Sequence, residues 1–177
     1  PSGSKGNKQG ITPKEKFEIY EKIENAFKDS TINLRDELKK KVEQVASINF
    51  LKMVNRDNYE SLQINDNYGL SIISDEGLVE IRSAGASQVV ALSLISALSQ
   101  VGGEQRPILM DTPFGRLDKT HRKNILKTLP ELTSQLILLH HDGEIGPDDL
   151  LNIKNIIGHQ YEVLLTHDSK NSYIQKV

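Results

Sequence analysis

Two short apolar runs constrain this chain more than anything else in it. Residues 107 to 111 read PILMD and residues 135 to 140 read QLILLH, with a helical stretch from about Lys119 to Leu129 between them. Runs this short and this continuously apolar suit strands covered on both faces. Strands joined by a helix pair in parallel through a right-handed crossover, and ligands of open α/β sheets bind off the carboxyl edge of such strands. The first run ends in Asp111 and the second leads into His140-His141-Asp142-Gly143-Glu144, so one sheet edge is expected to receive both a carboxylate and an imidazole. An apolar run ending in aspartate is weak evidence by itself, because an ordinary strand before a Pro turn looks the same.

The rest of the chain gives that pair its surroundings. Thr12-Pro13 with Glu15 opens a helix. Phe17, Tyr20, Ile23 and Phe27, then Leu34, Leu38, Val42, Val45 and Ile48, continue it as one long or two consecutive amphipathic helices to about Val54, with Lys39, Lys40 and Lys41 on the solvated side. From 59 to 82 the period falls to two. Tyr59 to Ile64, Tyr68 to Ile73 and Leu78 to Ile81, separated by Asn65-Asp66-Asn67 and Asp75-Glu76-Gly77, predict a small antiparallel meander. The Ala/Ser/Leu-rich stretch from 83 to 100 predicts a largely buried helix ended by Gly102-Gly103. A helical stretch around 147 to 157 precedes a hairpin of Tyr161 to Thr166 and Ser172 to Val177, turning at Asp168 to Asn171.

Composition excludes several classes. Hydrophobic residues are 37% and charged residues 26% of 177, which is not a disordered composition and suits one domain. A net charge of −2 and a pI near 6.3 give no global basic field to attract nucleic acid. Cysteine is absent, which rules out thiolate metal sites and agrees with a reducing compartment. No apolar run approaches the ~20 residues of a bilayer span, so a cytoplasmic protein with no membrane contact is expected. Residues 1 to 11, rich in Gly and Ser, are expected to be a flexible linker or a cloning scar.

Further features join Asp111 and His141. Arg82-Ser83-Ala84-Gly85 opens a helix, aiming a hydroxyl and unpaired amides at one place with the helix dipole behind them, an arrangement suited to phosphate, although a plain N-cap looks the same. Gly115-Arg116-Leu117-Asp118 leads into the next helix, which Asp118 could merely cap. In order and spacing these pieces resemble the C-terminal half of an ABC-type ATPase head of the branch containing SMC proteins and SbcC. Ser83-Ala84-Gly85 matches the signature, Ile108-Leu109-Met110-Asp111 the Walker B strand, Gly115-Arg116-Leu117-Asp118 the D-loop and His141 the switch histidine. The wording DTPFGRLD, with His121-Arg122 soon after, is most similar to the DndD family of DNA phosphorothioation ATPases. The matched region runs from about 60 to 145.

The resemblance implies an α/β fold: the C-terminal lobe of an ABC/SMC-type P-loop ATPase head, residues 56 to 177, carried on coiled-coil-base helices from 12 to 55. It implies ATP and Mg²⁺ as cofactors. It also implies an N-terminal Walker A half of the same head, a second head in a homodimer, and DNA reached through the assembly. Ser83, Ala84 and Gly85, with Gln88 one turn on, would bind the phosphate held by the partner head, and Asp118 would report across the interface. Asp111 would hold Mg²⁺ through water, and His141 would contact the γ-phosphate in its own head. The chain departs from the pattern in three ways. It has no G-x-x-x-x-G-K-[ST]; Ala86 and Arg82 loosen the signature; and Thr112 stands where the family places a glutamate base. A threonine hydroxyl cannot take a proton from water near neutrality. Either another carboxylate, Asp142 or Glu144, orients the water, or turnover is slow. An ABC-fold module that uses ATP only to dimerise is therefore the second reading, and a plain coiled-coil scaffold the third.

Overall fold

The computed structural model describes residues 11–54, 56–81, 83–103, 106–141, 143–166 and 170–177. The expectations for residues 1 to 10, Arg82, Asp142 and Asp168 lie outside them. One helix, α1 (Pro13–Met53), replaces the choice between one and two. It opens as the sequence indicates: the Thr12 amide donates to Glu15 (2.7 Å) and the Glu15 amide to the Thr12 hydroxyl (3.3 Å), a reciprocal capping pair. The first compact unit ends at Lys40, inside α1, and carries Phe17, Tyr20, Ile23, Phe27, Leu34 and Leu38 exposed.

The second unit, 41 to 177, begins with the foot of α1. There Val42, Ala46, Asn49, Phe50 and Met53 face the core, while Ile48, expected on the apolar side, is 57% exposed. The buried stripe lies about one position off the run read from sequence, because the residues beneath the helix decide which face is covered. A meander of β1 (Tyr59–Ile64), β2 (Leu70–Ser74) and β3 (Gly77–Val79) packs on this foot. Two α1 side chains hold the outer edge of β1: Ser47 Oγ accepts from the Leu62 amide (2.9 Å) and Glu43 accepts from the Ile64 amide (2.6 Å). The strand expected from Tyr68 starts only at Leu70. Tyr68 has φ 61°, and the Asn65 side chain takes the amides of Asn67 and Gly69, so the turn is longer.

Helix α2 (Ala84–Val101) buries Val89, Val90, Leu92, Ser93, Ser96 and Ala97, but Ile95 and Leu98 lie on an exposed face, so it is less buried than expected. With a mean hydropathy of 1.4 over its 18 residues it is also long and apolar enough to cross a membrane, contrary to the sequence expectation. Its buried face nonetheless belongs to the domain core.

Strands β4 (Ile108–Asp111) and β5 (Leu136–Leu139) pair in parallel, Asp111 opposite Leu139. Between them run α3 (Lys119–Thr128) and a 3₁₀ turn, Leu129–Leu132. The expectation of cover on both faces is corrected. Ile108 and Met110 point into the core, whereas Leu109, Ile137 and Leu139 are 64%, 42% and 49% exposed. The apolar character of that second face is there in the sequence; nothing among the described residues covers it. Helix α4 (Pro147–Ile153) continues as a 3₁₀ turn to Ile156, and the hairpin of β6 (Tyr161–Leu165) and β7 (Ser172–Lys176) forms as expected.

Candidate functional site

The parallel register decides the geometry of the site. Because Asp111 pairs with Leu139, Asp111 and His141 leave the same end of β4 and β5, and both are exposed. The Thr112 amide extends the ladder, donating to the Leu139 carbonyl (2.8 Å). Thr112 then turns the chain with φ 45°, a left-handed conformation costly for a β-branched residue. The turn sends Phe114 into the core, fully buried, with Leu117 after it at 7% exposure.

This loop is held by side chains from elsewhere in the chain. Gln88, on α2, donates through its amide nitrogen to the Pro113 carbonyl. Glu144, expected to orient a water, is instead buried at 1% exposure, and its Oε1 accepts from the Phe114 amide. Its other oxygen, like Gln88 Oε1, has no hydrogen-bond partner among the described residues. Asp118 caps α3: the His121 amide donates to it (2.9 Å) and the His121 ring lies 2.6 Å away. The His121 amide, and secondarily its ring, hold the Asp118 carboxyl below the usual carboxylate range. Arg122 links α3 to α4 through Asp149 (3.3 Å) and reaches back to the Leu117 carbonyl (3.4 Å).

Helix α2 arrives against the same loop. Ser83 is its exposed N-cap and accepts from the Ala86 amide (3.1 Å). A Cβ on Gly85 would lie 3.2 Å from the Arg116 carbonyl, so glycine is what lets the helix start come this close. The result is a solvent-open recess of about 570 Å³, lined by Ala84, Ser87 and Gln88 of α2, by Thr112, Gly115 and Arg116 of the loop, and by His141. Asp111 stands at the strand end outside this lining. The Gly143 amide donates to His141 Nδ1 (3.2 Å), which places the proton of a neutral ring on Nε2 and makes that nitrogen a donor.

Sequence reasoning brings Ser83, Ala84, Gly85, Gln88, Thr112 and His141 to one region, together with Asp118 at the end of the same loop. It missed Arg116 and Ser87 as lining residues, although Arg116 sits inside the quoted GRLD motif. It could not see that Gln88 and Glu144 turn toward the loop backbone, because those contacts join residues 25 and 30 positions apart.

No family model and no curated protein sequence matches the chain. Solved structures do. One, from work on ATP-driven dimerization and DNA-stimulated activation of SMC ATPases, superposes with TM-score 0.62 at 17% identity, covering 82% of this chain and 88% of that one. The Smc head domain of Pyrococcus yayanosii, with a coiled coil and joint, gives 0.66 at 18%, covering 93% of this chain and 32% of that one. The fold is that of an SMC head. A further SMC head, solved with the C-winged helix domain of ScpA, agrees with TM-score 0.62 at 13% identity, and this chain spans 45% of it. At these identities the likeness concerns fold alone, that of SMC head domain fragments including a coiled-coil part.

Proposed function

We propose that this chain is the C-terminal part of an SMC-type ATPase head. It binds ATP and Mg²⁺ where two heads meet, and couples binding and hydrolysis to a cytoplasmic DNA process. The observation that carries this reading is the convergence of Asp111, His141 and the Gly85 start of α2 around one loop at one sheet edge.

The residues present fit the cofactors. The Asp111 carboxylate is exposed and makes no hydrogen bond or ion pair among the described residues, so it is open to a metal-bound water. His141 offers an Nε2–H to a phosphate oxygen, and Ser83 with the first amides of α2 offers a helix N-terminus. Bound Mg²⁺ would supply charge neutralisation on the phosphates. The apolar face of Leu109, Ile137 and Leu139 suits a Walker A half packing as the next layer of the sheet. The similar SMC ATPases are described as dimerising with ATP and as activated by DNA, which supports the same cycle here. The DTPFGRLD wording favours DNA sulfur modification or a related defence or repair role.

The test is ATP hydrolysis by the head completed with its Walker A half. Asp111→Asn should lower the rate at least ~10-fold, and equal rates would refute the reading. A second reading, dimerisation without meaningful turnover, is favoured by the burial of Glu144 and by Thr112. A stable ATP dimer releasing no phosphate over hours would select it.

A further inference from the structure

We propose that Arg116 is the cation of a phosphate-binding recess between the start of α2 and the loop after β4, and that the ligand is the phosphate chain of a nucleotide. The inference rests on the head reading above and adds to it a residue that the D-loop match leaves without a role.

Arg116 lines the recess, and no described carboxylate does. Of the acidic groups nearby, Asp118 is engaged on the His121 amide and ring, Glu144 beneath the loop on the Phe114 amide, and Asp149 on Arg122, while Asp111 stands open at the strand end outside the lining. Arg116 itself is exposed, and its side chain makes no ion pair or hydrogen bond among the described residues. An arginine left unpaired on a recess free of carboxylates is available to an anion. The planar guanidinium fork matches phosphate oxygens two at a time. His141 Nε2–H stands on the same recess, and the 18-residue α2 begins there with its positive dipole end.

The Arg116 backbone is pinned from three sides. Leu117 is buried beside it, and its amide donates to the Phe114 carbonyl (3.0 Å). Asp118 is fixed as the cap of α3, and the Arg116 carbonyl packs so close to Gly85 that a side chain there would crowd it. A cation on so fixed a backbone enters the site with less ordering cost than one on a free loop. Its charge also bears on the anomaly at position 112. A guanidinium that stabilises charge on a transferring phosphoryl group acts without accepting a proton, so it assists turnover where Thr112 supplies no base.

The test uses inorganic triphosphate as probe on the full chain, with amide NMR shifts and calorimetry as readouts. The wild type should bind saturably, with shifts at Ala84, Gly115 and His141. Arg116→Ala should weaken binding about 10- to 100-fold, and Arg116→Lys, which keeps charge but loses the fork, should fall between. Because Arg116 is exposed, both variants should melt with the wild type, and the lysine variant keeps the comparison readable if alanine does not. Absence of saturable binding, wild-type binding by Arg116→Ala, or tighter occupation of the same amides by a DNA duplex would each overturn the proposal. ATP-dependent dimerisation of the completed head is scored alongside. Dimerisation in a protein whose triphosphate binding ignores Arg116 sinks this proposal alone, whereas intact triphosphate binding without any dimerisation sinks the head reading.

Discussion

The loop from Thr112 to Asp118 and the hairpin of β6 and β7 are both short segments at the surface of one compact unit, yet their backbones are held in opposite ways. The loop is fixed by remote side chains: Gln88 on the Pro113 carbonyl, Glu144 on the Phe114 amide, with Phe114 and Leu117 sunk in the core. The hairpin is fixed by its own ladder. Its outermost bonds run from Val177 to Gln160 and from Thr166 to Asn171, every residue of β7 is exposed, and Val163 and Ile174 stand 69% and 71% open. A two-stranded ribbon of that kind is marginal in water by itself. Conformation imposed from a distance can hold a strained residue such as Thr112, whereas conformation made locally cannot.

If that contrast is right, its largest expression is Glu144→Ala. The change leaves the buried Phe114 amide without an acceptor and should cost about 1–3 kcal/mol in thermal or denaturant melts, with faster exchange of that amide. Glu144→Gln, which keeps an acceptor oxygen, should recover most of the loss. An unchanged melt in the alanine variant would mean that the loop holds itself. Thr112→Gly comes next and has the opposite sign. Relief of the φ 45° strain outweighs the added chain entropy and should stabilise the fold by up to about 1 kcal/mol, whereas any loss of stability would show that the hydroxyl or methyl of Thr112 is itself needed. The smallest effect belongs to the hairpin: Ile174→Ser should move the stability of this chain by no more than about 0.5 kcal/mol. A larger loss would show that the ribbon is covered and would dissolve the comparison.

The same contrast explains what was legible in the sequence. The hairpin, the parallel pair, α2 and the long α1 announce themselves through spacing and turn residues, which are local signals. The meeting of Asp111 and His141 at one edge follows from parallel pairing alone. Cover is not local. Leu109 and Ile137 read as doubly buried because an apolar side chain carries no record of which layer packs on it, and Ile48 reads as inward because a helical stripe can be displaced by what lies beneath. Glu144 could not be placed either, since a carboxylate just past a strand end is equally suited to a pocket and to a backbone amide until the fold chooses. Gly85 was legible as a signature glycine, but its contact with the Arg116 carbonyl was not.

The attachment of Ser47 and Glu43 to the edge of β1 gives the long helix a mechanical property. An α-helix transmits twist along its hydrogen-bonded length, and the foot of this one lies in the same compact unit as the meander. Its lower end cannot swivel without tearing two amides of the meander from their acceptors. A twist reaching this foot is therefore borne by a strand edge rather than lost in a slipping joint.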